Sequence, residues 1–223
     1  MSFNIAIDGP AGAGKSTIAK RIAAELSFIY VDTGAMYRAI AYYLLRHGIA
    51  GDDAEGIAEA CDNIDVSIAY QEGSQVVLLN GENVNPYIRT EEVSKMTSII
   101  SVYPVVRAKL LELQRKLAAE HDVLMDGRDI GTCILPNADL KIYLTASSRV
   151  RAERRYLEQT ARGLVCSLEE IEKEIIDRDY RDMHREIAPL KQAEDAVVVD
   201  SSDLNIDEVV AIVTDLVRER QQQ

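Results

Sequence analysis

The sequence predicts an open α/β fold, a parallel sheet of five short strands with helices on both faces. Three observations carry this expectation. Residues 3–8, "FNIAID", form an apolar run that passes through a glycine-rich loop into "TIAKRIAAEL", where apolar residues recur at helical spacing. A second apolar run, "FIYVD", ends at Asp32 and leads into the helical pattern of "GAMYRAIAYYLLRHG", which Gly48 stops. Three further apolar runs, "DVLMD", "LKIYLTA" and "AVVVDSS", follow later in the chain with helical stretches between them. Strands that alternate with helices in this way run parallel and bury both faces of their sheet.

The segments between these strands differ in pattern. Residues 65–88 include "DVSIAYQEGSQVVLLNGENV", where apolar and polar residues alternate around Gly73 and Asn80-Gly81, both good hairpin turns. This predicts a small antiparallel insert. Helical periodicity resumes through "EEVSKMTSIISVYPVVRAKLLELQRKLAAEH", broken or kinked at Pro104. A long pair of helices spans residues 147–185, hinged near "ARGLVCS", where Ser167 and Glu170 have capping-box spacing. The final helix is "IDEVVAIVTDLVRER". The 223 residues read as one domain, with an insert at about residues 60–90 and a lid region at about residues 150–185.

Bulk properties narrow the possible functions. A formal charge of −12 argues against a surface for polymeric nucleic acid, which needs a basic stripe. No apolar run approaches the ~20 residues that cross a bilayer, and the amino terminus lacks the basic start and cleavage site of a secretory signal. A cytoplasmic protein without membrane partners is expected. Cys61, Cys133 and Cys166 form no CxxC pair and leave an odd number, which argues against a disulfide framework or a thiolate zinc site. Arginine is nonetheless concentrated between Arg149 and Arg185. If this acidic protein handles phosphate, it must do so in a local basic pocket.

Such a pocket has a motif. Gly9, Pro10, Ala11, Gly12, Ala13, Gly14, Lys15 and Ser16 match G-x-x-x-x-G-K-[ST] between a strand and a helix. The glycines let backbone N–H groups turn toward phosphate oxygens, aided by the positive end of the following helix. Lys15 would reach the β and γ phosphates, and the Ser16 hydroxyl would hold Mg²⁺. Asp126, ending "DVLMD", suits the metal's water shell, or else is a turn aspartate at a strand end. Asp8 could cap the phosphate loop. The absence of Asn-Lys-x-Asp disfavours a GTPase.

Asp32-Thr33-Gly34 is the tripeptide by which aspartic proteases present a carboxylate, but that mechanism needs two such carboxylates in an all-β setting. Here it ends the second parallel strand, where ligands of open α/β sheets gather. Thr33 is placed to cap the next helix and Arg38 lies one turn into it, a combination that suits a second phosphate. Arg151, Arg154 and Arg155 crowd one lid helix, while Arg178, Asp182 and Arg185 share one face of the next. They can close over transferring phosphates, or form surface ion pairs with Glu153, Glu158 and Glu174. His47, His121 and His184 read as packing or surface residues.

Through "IDGPAGAGKST", "VDTGAMYRA", "IRTEEVS", "VYPVVRAKLLELQR", "MDGRDIGT", "DRDYRDMHREIAPL" and "VVVDSS", the chain resembles the bacterial-type cytidylate kinases of the nucleoside monophosphate kinase family. The resemblance implies the phosphate-loop fold of that family and MgATP-dependent phosphorylation of CMP or dCMP. It places ATP on residues 9–17, Thr17 included, and the CMP phosphate on Thr33, Arg38 and Arg128. Cytosine falls to Ser98, Arg107 and Asp129, with Tyr37, Arg178, Asp182 and Arg185 bordering sugar and phosphate. Lys15, Arg128, Arg154, Arg155 and Arg185 would neutralise the transferring group, and Mg²⁺ would sit at Ser16 with Asp126 acting through water. Thr33 is often serine in that family, a change that keeps the hydroxyl. The polarity of the base agrees, since Arg107 can donate to cytosine N3 while Ser98 and Asp129 accept from N4. A monomer is expected. The alternatives are a kinase for UMP or dTMP, and a phosphate-loop binding module without turnover.

Overall fold

The computed structural model describes residues 2–71 and 74–222. In chain order its elements are β1 (Asn4–Asp8), α1 (Lys15–Leu26), β2 (Ile29–Asp32), α2 (Thr33–Arg46), α3 (Ala54–Asn63), β3 (Val66–Gln71), β4 (Ser74–Leu79), β5 (Glu82–Asn83), α4 (Glu91–Ile100) and α5 (Pro104–Glu120). There follow β6 (Val123–Gly127), a π-helical turn (Ile130–Ile134), β7 (Leu140–Thr145), α6 (Ser148–Ala161), α7 (Leu168–His184), β8 (Val197–Asp200) and α8 (Ile206–Gln221).

The five expected core strands form one parallel sheet in the order β2-β6-β1-β7-β8. Its faces are both covered because side chains alternate along each strand. Ala6, Val31, Val123 and Met125 join the core under α2 and α5, whereas Ile5, Ile7 and Leu124 join the core under α1 and α8. Register then aligns the carboxyl ends. Asp32 sits beside Asp126, and Asp8 beside Gly127, so three strand-end aspartates line one crevice.

The insert is a separate antiparallel sheet, β3-β4-β5. Asn80 and Gly81, with φ of 50° and 83°, make its β4-β5 turn; the expected turn at Gly73 lies outside the described residues. Pro104 opens α5 as its first residue, where a missing N–H costs nothing. Two local expectations need correction. Thr33 does not cap α2, because Asp32 does so, accepting from Ala35 N at 2.8 Å. Asp8 does not cap the phosphate loop; it accepts from Ile130 N and Gly131 N at 2.8 and 2.7 Å and so anchors the π-helical turn. Helix α3 was not anticipated, although Asp53, whose side chain accepts from Gly56 N, is an ordinary cap signal.

Candidate active site

The phosphate loop leaves β1 through Gly9, where φ is 149° and a Cβ would lie 2.0 Å from Leu144 O. Only glycine fits beside that strand. The loop then delivers Lys15 to the first position of α1, where its ammonium donates to Pro10 O at 2.7 Å. Lys15 is buried, and burial together with repulsion from Arg128 holds its pKa well below the usual lysine range.

Beside it, Ser16 Oγ donates to Asp126 Oδ2 at 2.7 Å, and Tyr30 Oη donates to Asp126 Oδ1 at 3.1 Å. Burial and the neighbouring Asp32 carboxylate raise Asp126 to about 6, while burial lifts the Tyr30 phenol above its ordinary range. A hydroxyl and a buried carboxylate at bonding distance are hard oxygen donors, the chemistry that Mg²⁺ accepts while keeping several waters. Thr33 Oγ1 donates to Asp126 O at 2.7 Å, which fixes the start of α2 against the same strand end.

A second group of residues faces this corner. Arg38 donates to Asp32 Oδ2 at 3.0 Å, and Arg128 Nε donates to Asp182 Oδ2 at 3.0 Å. Burial would raise Asp182, but Arg128 and Arg178 outweigh it and leave the carboxyl below its ordinary range. Arg178 lies in the field of Arg128, Arg155 and Arg38; burial first, then repulsion from Arg128, lowers it to about 10. Among the described residues, the buried Nε atoms of Arg38 and Arg178 have no hydrogen-bond partner. Cations gathered at such a cost in solvation and mutual repulsion make a receptor for an anion.

The residues expected to read a base lie next door. Asp129 is buried between Arg107, with which it makes a very short ion pair, and Arg185, 3.4 Å away. Arg107 and Arg185 both reach Ser101, at its carbonyl and its hydroxyl respectively. The Arg107 guanidinium also lies 5.9 Å from the centre of the Tyr37 ring, and burial pushes the Tyr37 phenol up to about 12. Ser98, Asp182 and Arg185 open onto a cavity of about 360 Å³ walled by Ile99, Val102 and Tyr180.

Not every expected residue converges. Arg154 turns to the end of β8, donating to Ser201 Oγ at 3.2 Å and to Ser201 O at 2.6 Å. Arg155 approaches Glu174 at 3.7 Å with a third of its side chain exposed, and Arg149 and Arg162 pair with Glu153 and Glu158. The surface-pair alternative thus describes part of this helix. Two contributors, Tyr30 and Gln75, escaped the sequence, and a third, Arg151, was expected over the phosphates but has a different role. Arg151 bridges the phosphate loop and α7, Tyr30 holds Asp126, and Gln75 of the insert bonds both Asp32 N and Asp32 O. The arginine-crowded helix hinted at the first; no local signal marked the others. His47 and His184 stack on Tyr43 and Tyr180, each with Nδ1 on a main-chain carbonyl. His184 also lines the cavity beside Arg185, closer to the site than its sequence context suggested.

A glycine-rich loop at the carboxyl edge of a parallel sheet, facing two helices rich in arginine, defines the phosphate-loop nucleotide-binding class. The family profile described as "Cytidylate kinase" matches residues 5–219. A cytidylate kinase of Geobacillus sp. (strain WCH70) is 48% identical over 219 residues, spanning 98% of each chain. One from Caldicellulosiruptor saccharolyticus is 51% identical over 214 residues, spanning 96% of this chain and 95% of the relative. In fold alone, the chain resembles an uncharacterized protein from Eubacterium ventriosum, with a TM-score of 0.55 at 10% identity over 97% of this chain and 99% of the other. The chain belongs to the cytidylate kinase family. No helix among the described residues is long and apolar enough to cross a membrane.

Proposed function

We propose that the protein transfers the γ-phosphoryl group of MgATP to CMP or dCMP, giving ADP and CDP or dCDP. The observation that carries this reading is the half-buried cation cluster of Arg38, Arg128 and Arg178. Arg128 and Arg178 act on Lys15 of the phosphate loop, and the Nε atoms of Arg38 and Arg178 lack partners among the described residues.

On this reading residues 9–17 wrap the donor phosphates with backbone N–H groups, and Lys15 lies against the transferring group. Ser16 and Asp126 hold Mg²⁺, the carboxylate through water. A metal held by these residues would supply positive charge to the transferring phosphate. Thr33, Arg38 and Arg128 take the acceptor phosphate, and Arg178 and Arg185 close over it. The acceptor oxygen is already anionic, so no general base is required, and catalysis is positioning together with charge stabilisation. Arg107 donates to cytosine N3, and Asp129 with Ser98 accepts from N4; Tyr37 packs beneath Arg107. Uracil reverses both polarities at N3 and C4, and a site built for one pattern leaves its own polar groups unpaired with the other.

A steady-state screen of nucleoside monophosphates with MgATP tests this directly. CMP and dCMP should exceed UMP and dTMP in kcat/KM by ~10³ or more, and Arg107→Met should shrink that ratio by lowering CMP turnover alone. Preferred turnover of UMP or dTMP would assign a different acceptor. Binding without turnover would make the protein a nucleotide-binding module.

A further inference from the structure

We infer that Arg151 is a positioning residue that couples the phosphate loop to the arginine face of α7, so that donor and acceptor nucleotides strengthen each other's binding. The inference rests on the proposed assignment of the loop to the donor and of Arg178 to the acceptor phosphate.

Arg151 lies in α6, is 5% exposed, and engages three separate parts of the molecule. Its Nε donates to Ala146 O at 2.8 Å, just beyond β7. Its Nη1 donates to Ala11 O, within the phosphate loop, at 3.0 Å. Its Nη2 lies 2.7 Å from Asp179 Oδ2 in α7. The loop also packs on its stem, since a Cβ at Gly12 would lie 3.3 Å from Arg151 Cβ. A guanidinium is a planar fork that cannot rotate one nitrogen without moving the others. A shift of the Ala11 carbonyl is therefore passed to Asp179 instead of being absorbed in side-chain torsions.

The receiving end is poised to respond. Asp179 is next to Arg178 in sequence, and its Oδ1 is buried without a hydrogen-bond partner among the described residues, as is Arg178 Nε. A buried polar atom left unpaired is costly, so this part of α7 is less firmly satisfied than its surroundings. Donor phosphates that fix the loop fix Ala11, and through Arg151 and Asp179 they hold Arg178 where an acceptor phosphate would meet it. The effect is reciprocal, because coupling between two bound ligands must be the same in both directions.

Calorimetric titration of CMP with and without a non-hydrolysable MgATP analogue tests the coupling in wild type, Arg151→Met and Asp179→Asn. Asp179→Asn preserves shape and guards against a misfolded Arg151→Met. Wild type should bind CMP roughly 5- to 150-fold tighter with the analogue present. Both variants should bring that ratio close to one, with CMP affinity in the absence of the analogue within about twofold of wild type. A merely structural role would lower the melting temperature and both affinities together while leaving the ratio intact, and that outcome overturns the inference. So does a wild type that binds both nucleotides without mutual effect. A wild type that binds neither would instead overturn the proposed function.

Discussion

Asp8 illustrates how a residue's role depends on partners far along the chain. It ends β1, yet its carboxylate serves Ile130 N and Gly131 N, 122 and 123 residues away, and thereby sets the turn that follows Arg128 and Asp129. Burial raises Asp8 to about 6 despite those two donors. Between about pH 4 and 6 the folded chain therefore retains a proton that the unfolded chain has released. The contribution of this group to stability is complete below about pH 4 and is lost as pH rises through about 6. Asp126, raised in the same direction, adds to the same slope. Comparing urea unfolding at about pH 4.5 and about pH 7.5, the lower pH should favour wild type over Asp8→Asn by a further ~2 kcal/mol. A difference independent of pH would show that Asp8 titrates as it does in the unfolded chain. The sequence motif named Lys15 and Ser16 because the loop is local. Asp8, Arg151 and Gln75 act through contacts 43 to 140 residues distant, which no local pattern records.

At the scale of elements, legibility followed the strength of the local signal. The five core strands and α1 are continuous apolar or strongly periodic runs, and they appear as expected. The cap of α2 was misassigned between adjacent residues because Asp32 and Thr33 both carry oxygen acceptors. Tertiary pairing decided between them, drawing Thr33 Oγ1 to Asp126 O and leaving Asp32 free to bond Ala35 N. The insert was visible as alternation, but its attachment was not. The Gln75 amide bonds the main chain of Asp32 at the free edge of β2, Tyr70 Oη donates to Tyr30 O of the same strand at 3.0 Å, and Asp32 in turn bonds Arg38. The clearest cap lies away from the site. Asn205 accepts from Glu208 N at 3.0 Å while the Glu208 carboxylate accepts from Asn205 N at 2.8 Å, a complete capping box at the start of α8. Asn205→Ala should cost about 1 kcal/mol and lower Tm by about 2–4 °C while leaving turnover unchanged. Thermal melts alongside activity assays check this, and a loss of activity without a loss of stability would contradict it.

Considered as a whole, the described residues form two large cores against the sheet and a third, small one of Ala152, Ile171 and Ile175 that belongs to α6 and α7. The two helices therefore hold each other through apolar contact, whereas their ties to the body include polar ones: Arg151 to Ala11, Arg154 to Ser201, Arg128 to Asp182 and Arg185 to Asp129. Between the helices Gly163 turns the chain at φ 77°, and Val165 is fully exposed. A unit with its own minor core and polar moorings can open at less cost than either main core. On the proposed function, such opening would let nucleotides enter, and closure would bring fixed positive charge to phosphates as negative charge spreads in the transition state. Arg155 approaches Glu174 at 3.7 Å with a third of its side chain exposed, a weak tie from which it can swing inward. Arg155→Ala should therefore lower kcat by about 10²-fold with a smaller rise in the KM for CMP, and should leave Tm nearly unchanged because an exposed ion pair contributes little. Hydrogen exchange across residues 155–170 measures the motion itself. A bisubstrate dinucleotide joining adenosine and cytidine through phosphates should protect this segment strongly. Equal exchange with and without that ligand would mean that the lid does not order on binding, and a kcat defect in Arg155→Ala would then need a different cause.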